Sequence, residues 1–118
     1  MSKAKVLLVD DDRGIIQFYS ELLTSNDYEV SVAMDGEQAL EELSKELPDL
    51  VLLDVNMPGK SGLDILKEIK IKNEQLPVFL LTAYEQYKRN FSSLYADEYL
   101  TKERKPELIL KKVKEYTE

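Results

Sequence analysis

The chain contains neither cysteine nor histidine. The first absence excludes a disulfide framework, a thiolate metal site and a cysteine nucleophile. The second excludes serine–histidine catalysis and zinc–imidazole chemistry, and it denies the chain a phosphohistidine of its own. Any reaction must therefore run on carboxylates, hydroxyls, lysines and a hard, oxygen-bound cation. A basic excess is also lacking, because the formal net charge is −7 over 118 residues. Sequence-independent nucleic-acid binding needs a cationic footprint, and an anionic membrane surface would repel this chain equally. No apolar stretch approaches the roughly 20 residues of a membrane span. The start, Met1-Ser2-Lys3-Ala4-Lys5, leads straight into an apolar run and is no signal peptide. The expectation is a cytoplasmic protein with neither nucleic acid nor membrane among its partners.

What is present fits one globular domain over residues 1–118, at 43% hydrophobic and 33% charged residues. Four apolar runs end in residues that phosphoryl chemistry uses. Val6-Leu7-Leu8-Val9 meets Asp10-Asp11-Asp12, and Leu50-Val51-Leu52-Leu53 meets Asp54. Val78-Phe79-Leu80-Leu81 meets Thr82, and Tyr99-Leu100 leads through Thr101 to Lys102. Between the runs lie segments of helical period. Ile15, Phe18, Tyr19, Leu22 and Leu23 share one helix face, and Asn26-Asp27 ends it. Residues 29–33 alternate as a half-buried strand. Asp35 is the expected N-cap of a helix carrying Ala39, Leu40, Leu43 and Leu47. Ser61, or the loop before it, starts another with Leu63, Leu66 and Ile69, and Pro106 opens a last one with Leu108, Ile109 and Val113. Runs such as Val-Leu-Leu-Val suit strands covered on both faces, so the expected fold is a doubly wound α/β parallel sheet.

In such a sheet the four polar termini arrive together at the carboxyl edge, where ligands bind. Taken singly, each has an ordinary reading: a helix cap, a turn hydroxyl, a solvated charge. Together they describe a site. Asp10, Asp11 and Asp54 would be crowded carboxylates, each pair repelling by about 1 kcal/mol in water and several-fold more near a protein surface. A cation relieves this, and all-oxygen ligation points to Mg²⁺, or to Mn²⁺ in its place. An Asp flanked by metal, lysine and hydroxyl can attack phosphorus and hold an acyl phosphate.

The chain resembles a response-regulator receiver domain of two-component signalling over its whole length. The matching features are Val9-Asp10-Asp11, the run from Pro48 to Asp54, Met57-Pro58-Gly59 followed by Gly62, Leu81-Thr82-Ala83, and the run from Asp97 to Lys102. The resemblance implies a (βα)5 flavodoxin-like fold with strand order 2-1-3-4-5. It implies phosphorylation of Asp54 by a partner's phosphohistidine, from a sensor histidine kinase or a histidine phosphotransferase. It further implies Mg²⁺ on the Asp11 and Asp54 carboxylates and the Asn56 carbonyl, with Asp10 acting largely through water. Thr82 and Lys102 would contact the phosphoryl oxygens. Thr82 and Tyr99 would form the switch, read by a downstream protein, and Asn56 and Tyr84 would tune hydrolysis. Such a protein is not a turnover enzyme. With no output domain in its 118 residues, it is similar to stand-alone members serving chemotaxis or a sporulation-type phosphorelay.

Two departures from that family pattern stand out. Glu103 follows Lys102 where a cis-proline is usual. A cis bond without proline costs about 2.5–4 kcal/mol, so a trans bond and a different following loop are expected. The stretch from Thr82 to Lys102 is also about two residues short, and Tyr95 replaces a glycine suited to a left-handed helix end. The helix over residues 84–96 is expected to be short or irregular. Two other readings compete. In a haloacid-dehalogenase-like phosphatase Asp10 would be the nucleophile and Asp12 its partner, but Asp54 and Met57-Pro58-Gly59 would have no role. In a degenerate receiver the site would serve binding only.

Overall fold

A computed structural model describes residues 3–55, 57, 61–82, 96–101 and 106–118. Five strands, β1 (Lys5–Val9), β2 (Glu29–Ala33), β3 (Leu50–Asp54), β4 (Val78–Thr82) and β5 (Glu98–Thr101), form one sheet. Every pairing is parallel and the order is β2-β1-β3-β4-β5. The described helices are α1 (Arg13–Ser25), α2 (Gly36–Lys45), α3 (Gly62–Lys72) and α4 (Pro106–Thr117). The doubly wound parallel sheet and its order are as the sequence led one to expect. The irregular helix expected over residues 84–96 falls almost wholly outside the described residues, as does the Lys102–Glu103 bond.

Period-two alternation explains why the strands are apolar throughout. In β3, Leu50 and Leu52 join a core with Tyr19 and Leu23 of α1 and Ile109 and Val113 of α4. Val51 and Leu53 point the other way, into a core with Ala39 and Leu43 of α2 and Leu66 and Ile69 of α3. Burying each such side chain contributes about 1.5–3 kcal/mol. Edge strand β2 is less covered: Ala33 is buried in one half of the core and Val30 is half-buried against the other, while Val32 is exposed.

Local signals set the helix starts. Asp35 accepts from the Gln38 amide at the head of α2, and Ser61 Oγ from the Leu63 amide at the head of α3. Three expected core positions lie outside. Phe18 is 47% exposed, Leu47 53% and Leu108 46%. Leu47 precedes Pro48, which disfavours helical backbone, and α2 has already ended at Lys45. Phe18 and Leu108 flank narrower contact stripes centred on Tyr19 with Leu23 and on Ile109 with Val113.

Candidate functional site

Strand register brings the carboxylates together. Val9 pairs with Leu53, so Asp10, the next residue, is level with Asp54, the last residue of β3. Asp54 pairs with Leu81, which puts Thr82 one step further along β4. Thr82 pairs in turn with Thr101 at the end of β5. The ligand oxygens of Asp10, Asp11 and Asp54 all lie within 4.8 Å of one another. Asp10 is 1% exposed and Asp54 5%, whereas Asp11 faces solvent.

Backbone bonds hold the cluster from beneath. The Asp10 amide donates to Ala33 O at the end of β2 (3.1 Å). The Asp12 amide donates to Asp10 Oδ1 (2.9 Å). The Asp12 side chain turns away from the cluster, accepting from the amides of Gly14 (2.8 Å) and Ile15 (3.3 Å) as the N-cap of α1. Opposite, α3 begins hard against β3. The Gly62 amide donates to Val55 O (2.9 Å), and a Cβ at Gly62 would meet Asp54 O at 2.0 Å. Only glycine allows this approach.

The site fits a hard divalent cation on chemistry alone. Three carboxylates at roughly 4–5 Å repel by about 1 to 4 kcal/mol per pair, depending on the effective dielectric. Two of them are nearly shut off from water. An all-carboxylate donor set on one open edge suits Mg²⁺, which binds through a few carboxylates and retains waters. The structure therefore groups three of the expected site residues, Asp10, Asp11 and Asp54. It places Thr82 at the same edge and Tyr99 in the middle of β5, half-buried against the core shared with α2 and α3. Asn56, Tyr84 and Lys102 lie outside the described residues. Sequence reasoning missed the parts played by Asp12 and Gly62. Asp12 carried a readable signal, an Asp directly before a helical period, but stood within a run of three acids.

A doubly wound parallel sheet with three carboxylates gathered at its carboxyl edge is an arrangement suited to a hard cation and to phosphoryl chemistry. The chain belongs to the response regulator receiver domain family, whose model it matches over residues 6–114. It is 43% identical over 84 residues to sporulation initiation phosphotransferase F of Bacillus subtilis, covering 71% of this chain and 68% of that one. Of the longer DltR regulator of Streptococcus agalactiae it spans only 50%, at 36% identity over 93% of this chain. Among solved structures it is similar to the response regulator TrrA of Thermotoga maritima in complex with Mg²⁺-BeF. That likeness has a TM-score of 0.93 and 39% identity, and covers 96% of this chain and 98% of that one. TrrA bound to the histidine kinase ThkA is also similar, with a TM-score of 0.91 and 38% identity over 98% and 99% of the two chains. These relationships decide against the phosphatase reading, and geometry concurs: Asp12 caps a helix and stands outside the triad. Among the described residues no helix is long and apolar enough to cross a membrane.

Proposed function

We propose that this receiver domain takes a phosphoryl group onto Asp54 from a phosphohistidine on a partner protein, in a Mg²⁺-dependent step. The observation that carries the reading is the meeting of Asp10, Asp11 and Asp54 within 4.8 Å at the carboxyl edge. An Asp54 carboxylate oxygen forms the new P–O bond as the P–N bond to the partner's imidazole breaks. The donor is external by necessity, because this chain has no histidine. Asp10, Asp11 and Asp54, with the Asn56 carbonyl, would hold the cation. Bound Mg²⁺ would neutralise charge on the phosphoryl oxygens, and Mn²⁺ is an acceptable substitute for the same oxygen donors.

Lys102 supplies a further positive charge and Thr82 a hydroxyl to the phosphoryl oxygens. Movement of Thr82 together with Tyr99 then alters what β5 presents to a downstream protein, or the group passes on along a relay. Asn56 and Tyr84 tune its hydrolysis. Support comes from relatedness to a sporulation phosphotransferase and to TrrA, one structure of which holds Mg²⁺-BeF and another a histidine kinase. The protein acts in the cytoplasm, catalysing its own modification without turnover. A net charge of −7 disfavours nucleic acid as its direct target.

Intact-mass measurement with a small phosphodonor and Mg²⁺ tests the proposal. One added phosphoryl group, lost on chelation and in Asp54→Asn, is the expected result. Labelling at Asp10 with turnover of the donor would establish a phosphatase instead. No mass gain would leave a binding module.

A further inference from the structure

We propose that Asp12 is a positioning residue for the cation site, acting through the helix it caps. The inference rests on the reading of the acidic triad as a Mg²⁺ site. Three contacts form a chain. The Asp12 carboxylate accepts from the Gly14 and Ile15 amides, and its carbonyl accepts the first helical bond, from the Ile16 amide (3.0 Å). These bonds fix the backbone of residue 12 at the point where strand geometry gives way to helix. The amide so fixed donates to Asp10 Oδ1, and a donor held in place orients the buried carboxylate beside Asp54. The cap is itself tightly fitted, because a Cβ at Gly14 would come within 3.2 Å of Asp12 Oδ1.

A second cap in the same molecule provides the contrast. Asp35 heads α2 with the same chemistry, its Oδ1 accepting from the Gln38 amide while Gln38 Oε1 accepts from the Met34 amide. That arrangement closes on itself and is not among the contacts made to Asp10, Asp11 or Asp54. Two aspartates thus do the same local work, and only one hands its amide to a ligand carboxylate.

Calorimetric titration of the unphosphorylated protein with Mg²⁺, paired with urea unfolding of each variant, separates the roles. Asp12→Ala should weaken Mg²⁺ about tenfold, the low end of the loss seen when a partner that orients a metal ligand is removed. Asp12→Asn and Asp12→Ser keep a capping oxygen and should remain within about twofold of the parent. Asp35→Ala should lower the urea midpoint and leave the affinity within about twofold. An unchanged affinity in Asp12→Ala would overturn the inference. So would an Asp12→Asn as weak as Asp12→Ala, since charge alone would then be acting, or an equal loss in Asp35→Ala. If the parent protein binds no Mg²⁺, the cation-site reading falls and this inference falls with it. If the parent binds and Asp12→Ala matches it, only the inference falls.

Discussion

The two edges of the sheet use the same residue type in opposite ways. At the carboxyl edge Asp10, Asp11 and Asp54 gather with one another. At the amino edge several carboxylates meet donors that link separate elements. Asp97, just before β5, accepts from Lys70 Nζ (2.7 Å) and from the Val78 amide (2.8 Å), and its own amide donates to Val78 O (2.8 Å). Lys70 also donates to Leu76 O (2.7 Å), so one ammonium ties α3, the loop after it and the entry to β5. Glu98 accepts from the Tyr116 hydroxyl (2.8 Å), whose ring lies edge-to-face on Phe79. Lys5 bridges Glu29 and Glu46, and the negative neighbours raise its pKa, Glu46 foremost. The amino-edge carboxylates tie separate elements together, whereas those at the carboxyl edge are gathered within 4.8 Å of one another, an arrangement suited to a cation.

The largest test concerns the close approach that seats α3 on β3. Gly62→Ala should destabilise by about 3 kcal/mol, since the methyl group would strike backbone that cannot yield like a side chain. Urea unfolding reads the effect, and a loss below about 1 kcal/mol would mean that α3 can slide. At the amino edge, Lys70→Met should cost about 2 kcal/mol. That is less than for a fully buried pair, because a third of the Asp97 side chain is exposed. The comparison is sharpest in its response to Mg²⁺. Asp54→Asn removes one of the three gathered carboxylates. Saturating Mg²⁺ should therefore raise the urea midpoint of the parent more than that of Asp54→Asn. An equal rise in both would erase the distinction between the edges.

The smallest effect lies at Tyr116. Partial burial and then the hydrogen bond to Glu98, with nearby acidic charge, push its pKa from 10.0 up to about 12. A raised pKa means that the folded state favours the neutral phenol. That contribution is complete below about pH 10 and is lost as pH rises through about 12. Tyr116→Phe should therefore be less stable than the parent at neutral pH, and the gap should close between pH 10 and 12. Parallel pH titrations of the urea midpoint would reveal it, and a constant gap would remove the hydrogen bond as its cause.

Much of this was legible because it is local or periodic. Unbroken apolar runs named buried parallel strands, and Asp35, Ser61 and Pro106 named their helix starts. Asp10, Asp11 and Asp54 were legible because strand ends in a parallel sheet share an edge. Phe18 and Leu108 were misplaced because helical spacing gives a stripe wider than the surface it meets. The Lys70–Asp97 tie left no sequence signal, since its partners are brought together only by the pairing of β4 with β5. Asp12 was hidden by its neighbours: three successive acids look alike until backbone geometry divides them into two members of the carboxylate cluster and a cap.

Strand β3 has a consequence for how this chain can change over generations. Its successive side chains belong to different halves of the core. Inserting or deleting one residue there would exchange the halves and turn Asp54 out of place. Strand β1 is bound in the same way, with Val6 and Leu8 in one half of the core and Leu7 and Val9 in the other. A shift of register in either strand would part Asp10 from Asp54. The carboxylates are kept together by two segments that cannot drift.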